Sequence, residues 1–367
     1  MQPWYLVGIL AVGAVLTLTA VEIGGNTRNT SAASSNSTAY NVTDDGTKYT
    51  IHPSELVQGC PGKDCIPSID NPQFQRAQEA TWLDDRDLVI GVETNGEAKA
   101  YPFRILNVHE IVNDRVGGKP VAVTYCPLCR SALVYSRVIN GDTVEFGVSG
   151  KLYNANLVMY DRKTETYWSQ IQGEAIVGPL VPHELDLVHS VITDWEGWRQ
   201  AHPDTKVLSR DTGIYPKSQY GSNPYTGFQS SGRVGFGVDN VDDRLHSKEI
   251  VYGVAVGGNA TAYVKSDVKQ QDVINDRVGD VPVLVVEDQE SGAIRVFDRR
   301  IEGDTLTFAV ENGTLVDGDG NTWSFDGTAQ EGPYRGESLE QLNSHGFFWF
   351  AWSSFHPETT IYGEAGG

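Results

Sequence analysis

Short runs of β-branched and aromatic residues, bounded by turn sequences, recur along the chain. The runs at 88–92, 120–125 and 132–135 are typical of strands. Asn140-Gly141 lies between two further runs and indicates a β-hairpin. The pattern therefore predicts a mainly β structure.

One short amphipathic helix interrupts the strand pattern. It is expected to begin after Thr193 or Asp194 as the N-cap, because both side chains can accept a hydrogen bond from the first turn, and to run to about Ala201. His202-Pro203 would end it, since proline cannot continue a helix.

The chain contains an internal duplication. Residues 113–123 recur at 275–285 with eight of eleven positions identical, and ordered matches continue on both sides. We therefore predict a mainly β (α+β) fold of two duplicated β-rich units, each with a short helix, preceded by an N-terminal transmembrane anchor. The predicted division is an anchor at 1–24, a Ser/Thr/Asn-rich spacer at 25–50, a first unit with its connection at 51–247 and a degenerate second unit at 248–367.

The predicted anchor is an uncharged apolar run at 3–21 that is long enough to span a bilayer as a helix. No basic residue precedes the run, so an uncleaved anchor is favoured over a cleaved signal peptide. We expect the membrane to be a partner through this segment, with the bulk of the chain extracytoplasmic. Asn-x-Ser/Thr sequons support that orientation, because they are glycosylation acceptors outside the cell. They occur at Asn29, Asn36, Asn41, Asn259 and Asn312.

The charge of the chain narrows the choice of partners. The formal net charge is −20, from 28 basic and 48 acidic residues. Such a chain repels nucleic acid, whose binding depends on neutralising phosphates. The acidic residues are spread along the chain, as in proteins that work in concentrated salt, where self-repulsion is screened. A haloarchaeal source is expected, and an ordinary acidic protein is the alternative.

The sharpest chemical motif is a Cys-x-x-Cys pair, Cys126 and Cys129, which follows a predicted strand. Redox dithiols and metal-binding turns both use this spacing. The second unit has Asp288 and Ser291 at the aligned positions, so the fold does not require the thiols. A structural disulfide is the alternative, although one closing so short a loop would stabilise little.

His109 is lost together with the thiols, since Gln271 replaces it in the second unit. The joint loss predicts one site, in which His109 is a metal ligand or a base for a thiol. A histidine satisfied within the core is the alternative. Cys60 and Cys65 are interpreted as a local structural disulfide, with four thiols on one metal as the alternative.

Four further polar residues are candidates to line the same cleft. They follow the thiol pair along the chain and are Ser149, Asp161, Arg162 and Gln170. Solvated loop residues are the ordinary alternative. A hydrolase that uses Ser149 and His109 ranks low, because no nucleophile-elbow pattern surrounds the serine.

Many of these segments resemble the DUF3179 family. The segments that carry the resemblance are 64–72, 109–114, 124–129, 146–150, 159–162 and 168–170, and the likeness extends over about residues 53–362. The family is one of unknown function, so the resemblance implies no activity. It implies glycine at the position of Cys65, which makes Cys60 and Cys65 a local addition and the four-thiol metal site less favoured.

The sequence leads to two hypotheses of different classes. The first is a membrane-anchored extracytoplasmic protein that binds a transition metal, copper or zinc, or performs thiol redox chemistry through Cys126, Cys129 and His109. The second is a non-catalytic cell-surface binding or scaffold protein with structural disulfides.

Overall fold

The computed structural model describes residues 40–238, 241–289, 291–342 and 344–364. Strands make up 41% and helices 12% of the structure, so the chain is mainly β. The predicted fold class needs correcting in one respect, the N-terminal transmembrane anchor. No helix among the described residues is both long and apolar enough to cross a membrane, and residues 1–24 themselves lie outside them.

The N-terminal segment adds short strands to the sheets of the first copy. They are β1 Asn41–Val42, β2 Lys48–Tyr49, β3 Val57–Gln58 and β4 Phe74–Arg76. The first copy itself comprises β5 Leu88–Thr94, β6 Glu97–Pro102, α1 Phe103–Leu106, β7 Ile111–Val116, β8 Lys119–Cys126, β9 Ser131–Ser136, β10 Val138–Ile139, β11 Asp142–Thr143, β12 Phe146–Tyr153, β13 Asn156–Asp161, β14 Tyr167–Ser169, β15 Ala175–Val177, β16 Val191–Asp194, α2 Trp195–Ala201 and β17 Lys206–Leu208.

The described part of the connection between the copies is mostly irregular and carries a 3-10 helix at Lys217–Gly221 and a short α-helix, α3 Thr226–Gln229. The second copy comprises β18 Ile250–Val256, β19 Asn259–Val264, α4 Lys265–Gln271, β20 Val273–Val278, β21 Val281–Asp288, β22 Ala293–Asp298, β23 Arg300–Ile301, β24 Asp304–Thr305, β25 Phe308–Glu311, β26 Thr314–Asp317, β27 Thr322–Trp323, β28 Gly346–Phe348, α5 Trp349–Phe355 and β29 Thr360–Ile361.

The two copies repeat the same order of strands. In the first copy β16, β5, β6 and β17 lie side by side, and in the second copy β28, β18, β19 and β29 do so. In each set the last two strands are parallel and the other pairs antiparallel. Each copy also contains a three-stranded sheet, β7-β8-β9 in the first and β20-β21-β22 in the second.

Strand register is repeated as well as strand order. Val121 is opposite Asp114 on β7 and β8, and Val283 is opposite Asp276 on β20 and β21. Both valines are fully buried. A slip of one residue would turn either valine to the opposite face of its sheet, so the shared register places the two sequence matches on equivalent elements.

The short helices close each copy in the same way. Helix α2 has the expected N-cap, because the carboxylate of Asp194 accepts a hydrogen bond from the amide of Gly197 at 2.8 Å. Trp198 of α2 lies against Gly91, and Trp352 of α5 lies against Gly253. A methyl group on either glycine would overlap the indole ring. Each helix is therefore seated by a glycine–tryptophan contact.

Each copy places one strand against a strand of the other copy where the two meet. Strand β28 of the second copy lies against β9 of the first, and β16 of the first lies against β22 of the second. The amide of Phe348 donates to the carbonyl of Cys129 at 3.0 Å, while the hydroxyl of Thr193 donates to the carbonyl of Ser291. The turn after the second strand of each three-stranded sheet is thus covered by the other copy.

Gly253→Ala should destabilise the protein, because the added methyl group overlaps the indole of Trp352. We expect a loss of about 2 kcal/mol in the free energy of unfolding, within the range for overpacked cores. Chemical denaturation at one salt concentration measures it. Gly227→Ala in α3 is the matched control, because its new methyl group would meet nothing within 4 Å. Equal stability of the two variants would contradict the seating of α5.

Candidate functional site

The two free cysteines lie at the ends of a tight turn between β8 and β9, here called the thiol turn (residues 126–130). Cys126 ends β8 and is paired with Ser131, the first residue of β9. Arg130 completes the turn with a φ of 57°, and Gly292 has a φ of 64° at the equivalent point of the second copy. Arginine therefore adopts a backbone conformation that favours glycine.

Both thiols are buried beside one main-chain oxygen. Cys126 is 1% exposed and Cys129 0%, and neither is in a disulfide. The carbonyl oxygen of Ala155 lies 3.8 Å from the Sγ of Cys126 and 3.3 Å from that of Cys129. Ala155 has a φ of 60° in the β12–β13 turn, where the second copy has Gly313. A backbone conformation unfavourable for alanine is thus found next to the thiols.

The surroundings push the two thiol pKa values apart. Burial by itself would raise the pKa of Cys126. Hydrogen bonds from the thiol and amide of Cys129, and from the amides of Leu157 and Leu128, outweigh burial and lower that pKa below its ordinary value. Burial, with the hydrogen bond to Cys126 and its negative charge, raises the pKa of Cys129 well above its ordinary value. Cys126 is therefore the more acidic thiol of the pair.

The second copy has a similar donor–acceptor pair that contains no sulfur. The hydroxyl of Ser291 donates to the carboxylate of Asp288 at 2.5 Å, and the amide of Ser291 approaches the same carboxylate at 3.4 Å. These two residues occupy the positions of Cys129 and Cys126. Each turn therefore has a hydrogen-bond acceptor at its first residue, Cys126 or Asp288, and a hydrogen-bond donor at its fourth residue, Cys129 or Ser291.

A buried polar network lies behind the thiol turn and includes Gln170, one of the predicted cleft residues. Its side-chain oxygen accepts from Ser131 at 2.6 Å and from Asn156 at 2.9 Å, and its side-chain nitrogen donates to Thr124 at 2.9 Å. The side chain of Asn156 also contacts Cys129 and acts to lower its pKa. Gln170 thus supports the thiol turn from inside the core and does not line an open cleft.

Glu110 lies close to the thiols, although its acidic counterpart Asp272 suggested a structural role. Its side chain is buried and lines a pocket of about 170 Å³ with Leu128 and Tyr225. Burial, with a smaller contribution from the negative charge of Cys126, raises the pKa of Glu110 well above its usual range. No sequence signal distinguished this residue, because its aligned partner is also acidic.

Lys248 approaches the thiols from the start of the second copy. Its ammonium nitrogen lies 3.7 Å from the ring centre of Phe228 and donates to the carbonyl of Arg233. Burial lowers its pKa to about 8, while the negative charge of Cys129 acts in the opposite direction. The sequence offered one signal, since the repeat aligns Lys248 with Arg86, another basic residue.

In the structure, His109 contacts residues other than the two cysteines. Its Nδ1 contacts the carbonyl oxygen of Pro67 at 2.7 Å, and its Nε2 contacts the hydroxyl of Tyr220 at 2.8 Å. The ring is buried, and burial lowers its pKa. His109 therefore joins the first copy to the connection, as a core histidine with both ring nitrogens occupied.

Three other predicted cleft residues have partners within the fold. The hydroxyl of Ser149 donates to the carbonyl of Val158. The carboxylate of Asp161 accepts from the indole of Trp168 at 3.1 Å, and Asp317 does the same for its own tryptophan in the second copy. These contacts give Ser149 and Asp161 structural roles.

Arg162 holds the N-terminal segment against β13. Its guanidinium pairs with Asp70 at 2.8 Å and with Asp64 at 3.0 Å, and it donates to the hydroxyl of Ser68 at 3.0 Å. Burial opposes its positive charge, but hydrogen bonds and these carboxylates raise its pKa overall. The arginine therefore orders the segment before β4 and is not at the thiol turn.

The remaining predicted sites lie on the surface or beyond the described residues. Cys60 and Cys65 form the expected local disulfide. Of the sequons, Asn41, Asn259 and Asn312 are exposed, while those at 29 and 36 lie outside the described part. Among the residues that the structure describes, no group of three or more His, Cys, Asp or Glu side chains could hold a metal ion.

Comparison with known proteins gives a family and no activity. No curated protein and no solved structure matches the chain significantly. A family model described as a protein of unknown function, DUF3179, matches residues 63–359 and so covers both copies and the thiol turn. The chain belongs to the DUF3179 family.

Proposed function

We propose that Cys126 and Cys129 form a redox-active dithiol. The observation that carries the proposal is that both sulfurs lie beside the carbonyl oxygen of Ala155, at 3.8 and 3.3 Å, in a turn that favours one anion and one donor. That turn brings together the two groups that thiol–disulfide exchange requires, an attacking thiolate and a second thiol.

The proposed exchange takes place in two steps. The thiolate of Cys126 attacks one sulfur of a low-molecular-weight disulfide, forms a mixed disulfide and releases the other half as a thiolate. Cys129 then loses its proton and attacks the Cys126 sulfur, which releases the second half of the reagent. Two electrons pass to the reagent, whose two thiolates take up the proton of Cys129 and one proton from water to become two thiols.

Glu110 is placed to handle the protons of this exchange. Burial raises the pKa of this carboxyl group well above its usual range, which favours the protonated form that can donate a proton. Its side chain lines the 170 Å³ pocket with Leu128, a residue of the thiol turn. Because both sulfurs are buried, any partner reaches them only when the thiol turn opens, and a small disulfide requires the smallest opening.

A second candidate function is binding of a soft monovalent ion, Cu(I). Two buried cysteine sulfurs with no third ligand from the described residues suit Cu(I), which would displace their protons, better than zinc. Zinc normally takes four protein ligands in a structural site and three in a catalytic site. Copper and disulfide would compete for the same two sulfurs, so one set of variants tests both functions.

Equilibration in dithiol/disulfide buffers of known potential should convert the two thiols of Cys126 and Cys129 into one disulfide. Free thiols are counted after acid quenching, in a Cys60→Ser, Cys65→Ser background that removes the other disulfide. We expect two thiols to become none at a midpoint between about −300 and −120 mV, the range of exchange-active pairs. Cys129→Ser in that background is the matched control and should keep one thiol throughout.

Persistence of both thiols in the most oxidising buffer would refute the redox function. Anaerobic titration of the same proteins with Cu(I), against a colorimetric chelator, then decides the second candidate. One copper per chain in the parent, with none in the Cys129→Ser variant, would assign the site to Cu(I). Neither oxidation nor copper binding would leave the buried thiols with a packing role alone.

Glu110→Gln should stabilise the protein at alkaline pH relative to the parent. The folded-state pKa of this carboxyl is raised, so its contribution to stability falls as pH rises from the ordinary carboxyl range through that raised pKa. Glutamine does not titrate. Urea unfolding at pH 5 and at pH 8 should therefore show the advantage of Gln growing with pH. A Cys126→Ser background should reduce the growth, since the negative charge of Cys126 contributes to the shift. An advantage independent of pH would contradict this electrostatic account.

We also infer a haloarchaeal source and an oxidising, extracytoplasmic setting. The Cys60–Cys65 disulfide supports such a compartment, and the net charge of −20 supports a salt-rich one. The melting temperature should rise with sodium chloride between about 0.1 and 1 M, where the Debye length falls from about 10 to about 3 Å. A melting temperature that falls or stays constant over that range would contradict the salt-adapted setting.

A further inference from the structure

A cleft of about 650 Å³ opens where the two copies and the connection meet. Its lining includes Arg130 from the thiol turn, Asn107 from the end of α1, and Lys248 from the start of the second copy. Apolar walls are formed by Phe103 and Phe348. The cleft thus lies beside the thiols, but the two cysteines do not line it.

Two buried cations of the cleft have no carboxylate partner among the described residues, whereas Arg104, which also lines it, is paired with Asp84 and with Asp87 of the same lining. Arg130 and Lys248 are both more than nine-tenths buried, and neither makes an ion pair within the described part of the chain, nor does Arg86 at the rim. The chain carries 48 acidic residues against 28 basic ones. Buried cations without a counter-charge are costly, so their unpaired state in so acidic a protein points to an anion from outside.

The donors of these two cations are only partly used. Within the described residues, the side chain of Arg130 donates one hydrogen bond, to the carbonyl of Gly346 at 2.6 Å. Lys248 donates one, to the carbonyl of Arg233. A guanidinium has five N–H donors and an ammonium has three. Several donors therefore stay available for oxygen atoms of a ligand.

Asn107 provides an independent observation at the same cleft. Its side chain is 4% exposed, and its Oδ1 is buried without a hydrogen-bond partner among the described residues. Leaving a buried acceptor unpaired is costly. Because Asn107 lines the cleft, a rotation of its side chain would bring this oxygen to an N–H or hydroxyl group of a ligand there.

We propose that this cleft binds a small organic oxyanion that also carries a hydroxyl group. A carboxylate or phosphate oxygen accepts hydrogen bonds from Lys248 and Arg130, and the hydroxyl donates to Asn107. The carbon skeleton lies along Phe103 and Phe348. Binding at this site does not depend on the thiols being redox-active, so it goes beyond the proposed function.

Isothermal titration calorimetry with four probes tests the proposal. The probes are acetate, lactate, inorganic phosphate and glycerol 3-phosphate, each at the same chloride concentration because chloride competes for cations. We expect the hydroxylated member of each pair to bind about tenfold more tightly, as one added hydrogen bond to a buried acceptor allows. The stronger pair tells whether the anionic group is a carboxylate or a phosphate.

Variants then locate the binding. Lys248→Met keeps the side-chain stem against Phe228, and Arg130→Gly places at the turn the residue that the second copy has there. Each should weaken the best probe about tenfold or more. Asn107→Leu should remove the preference for hydroxylated probes. Lys163→Met, which removes an exposed cation that does not line the cleft, is the control and should change nothing.

Two outcomes would overturn the proposal. No binding of any probe at millimolar concentrations overturns the proposal. Binding that Lys163→Met weakens as much as Lys248→Met reflects general charge attraction and also overturns it. Circular dichroism of each variant verifies folding. If Lys248→Met loses binding because the positive charge is gone, the variant Lys248→Arg, which keeps that charge, should still bind the probe.

Discussion

The hydrogen bond from the amide of Phe348 to the carbonyl of Cys129 ties the second copy to the thiol turn of the first. Around it, β28 covers β9 and brings an aromatic cluster onto the cysteines. This packing explains why both sulfurs are buried, why Lys248 is near them, and why a cleft opens between the copies. The chemistry of the first copy therefore depends on the packing of the second.

The duplication supplies an internal control for each structural claim. Features that recur in both copies, such as the tryptophan–glycine contacts and the aspartates that accept from an indole, belong to the fold. Features that differ between the two copies mark the candidate functional site. Ala155 keeps a positive φ where the second copy has Gly313, and Arg130 does so where it has Gly292. Backbone conformations that glycine would relieve are thus retained on both sides of the thiols, as is common at functional sites.

Sequence reasoning succeeded where neighbours along the chain decide the structure. The Asp194 N-cap and the hairpin turn at Asn140-Gly141 are both of this kind. It failed where distant segments meet. His109 and the thiols are lost together in the second copy, yet His109 contacts Tyr220 of the connection. Lys248 is more than a hundred residues from the thiols in the chain, and the raised pKa of Glu110 comes from burial and from the charge of Cys126, both of which depend on tertiary packing.

The contacts between the copies limit how the second copy can change. It has no thiols, but the amide of Phe348 donates to the carbonyl of Cys129, and the carbonyl of Gly346 accepts from the guanidinium of Arg130. A substitution in β28 that alters either contact would therefore change the surroundings of the thiols in the other copy. The two copies in this respect resemble the protomers of a dimer joined in one chain, of which one has the thiols and the other has part of their covering.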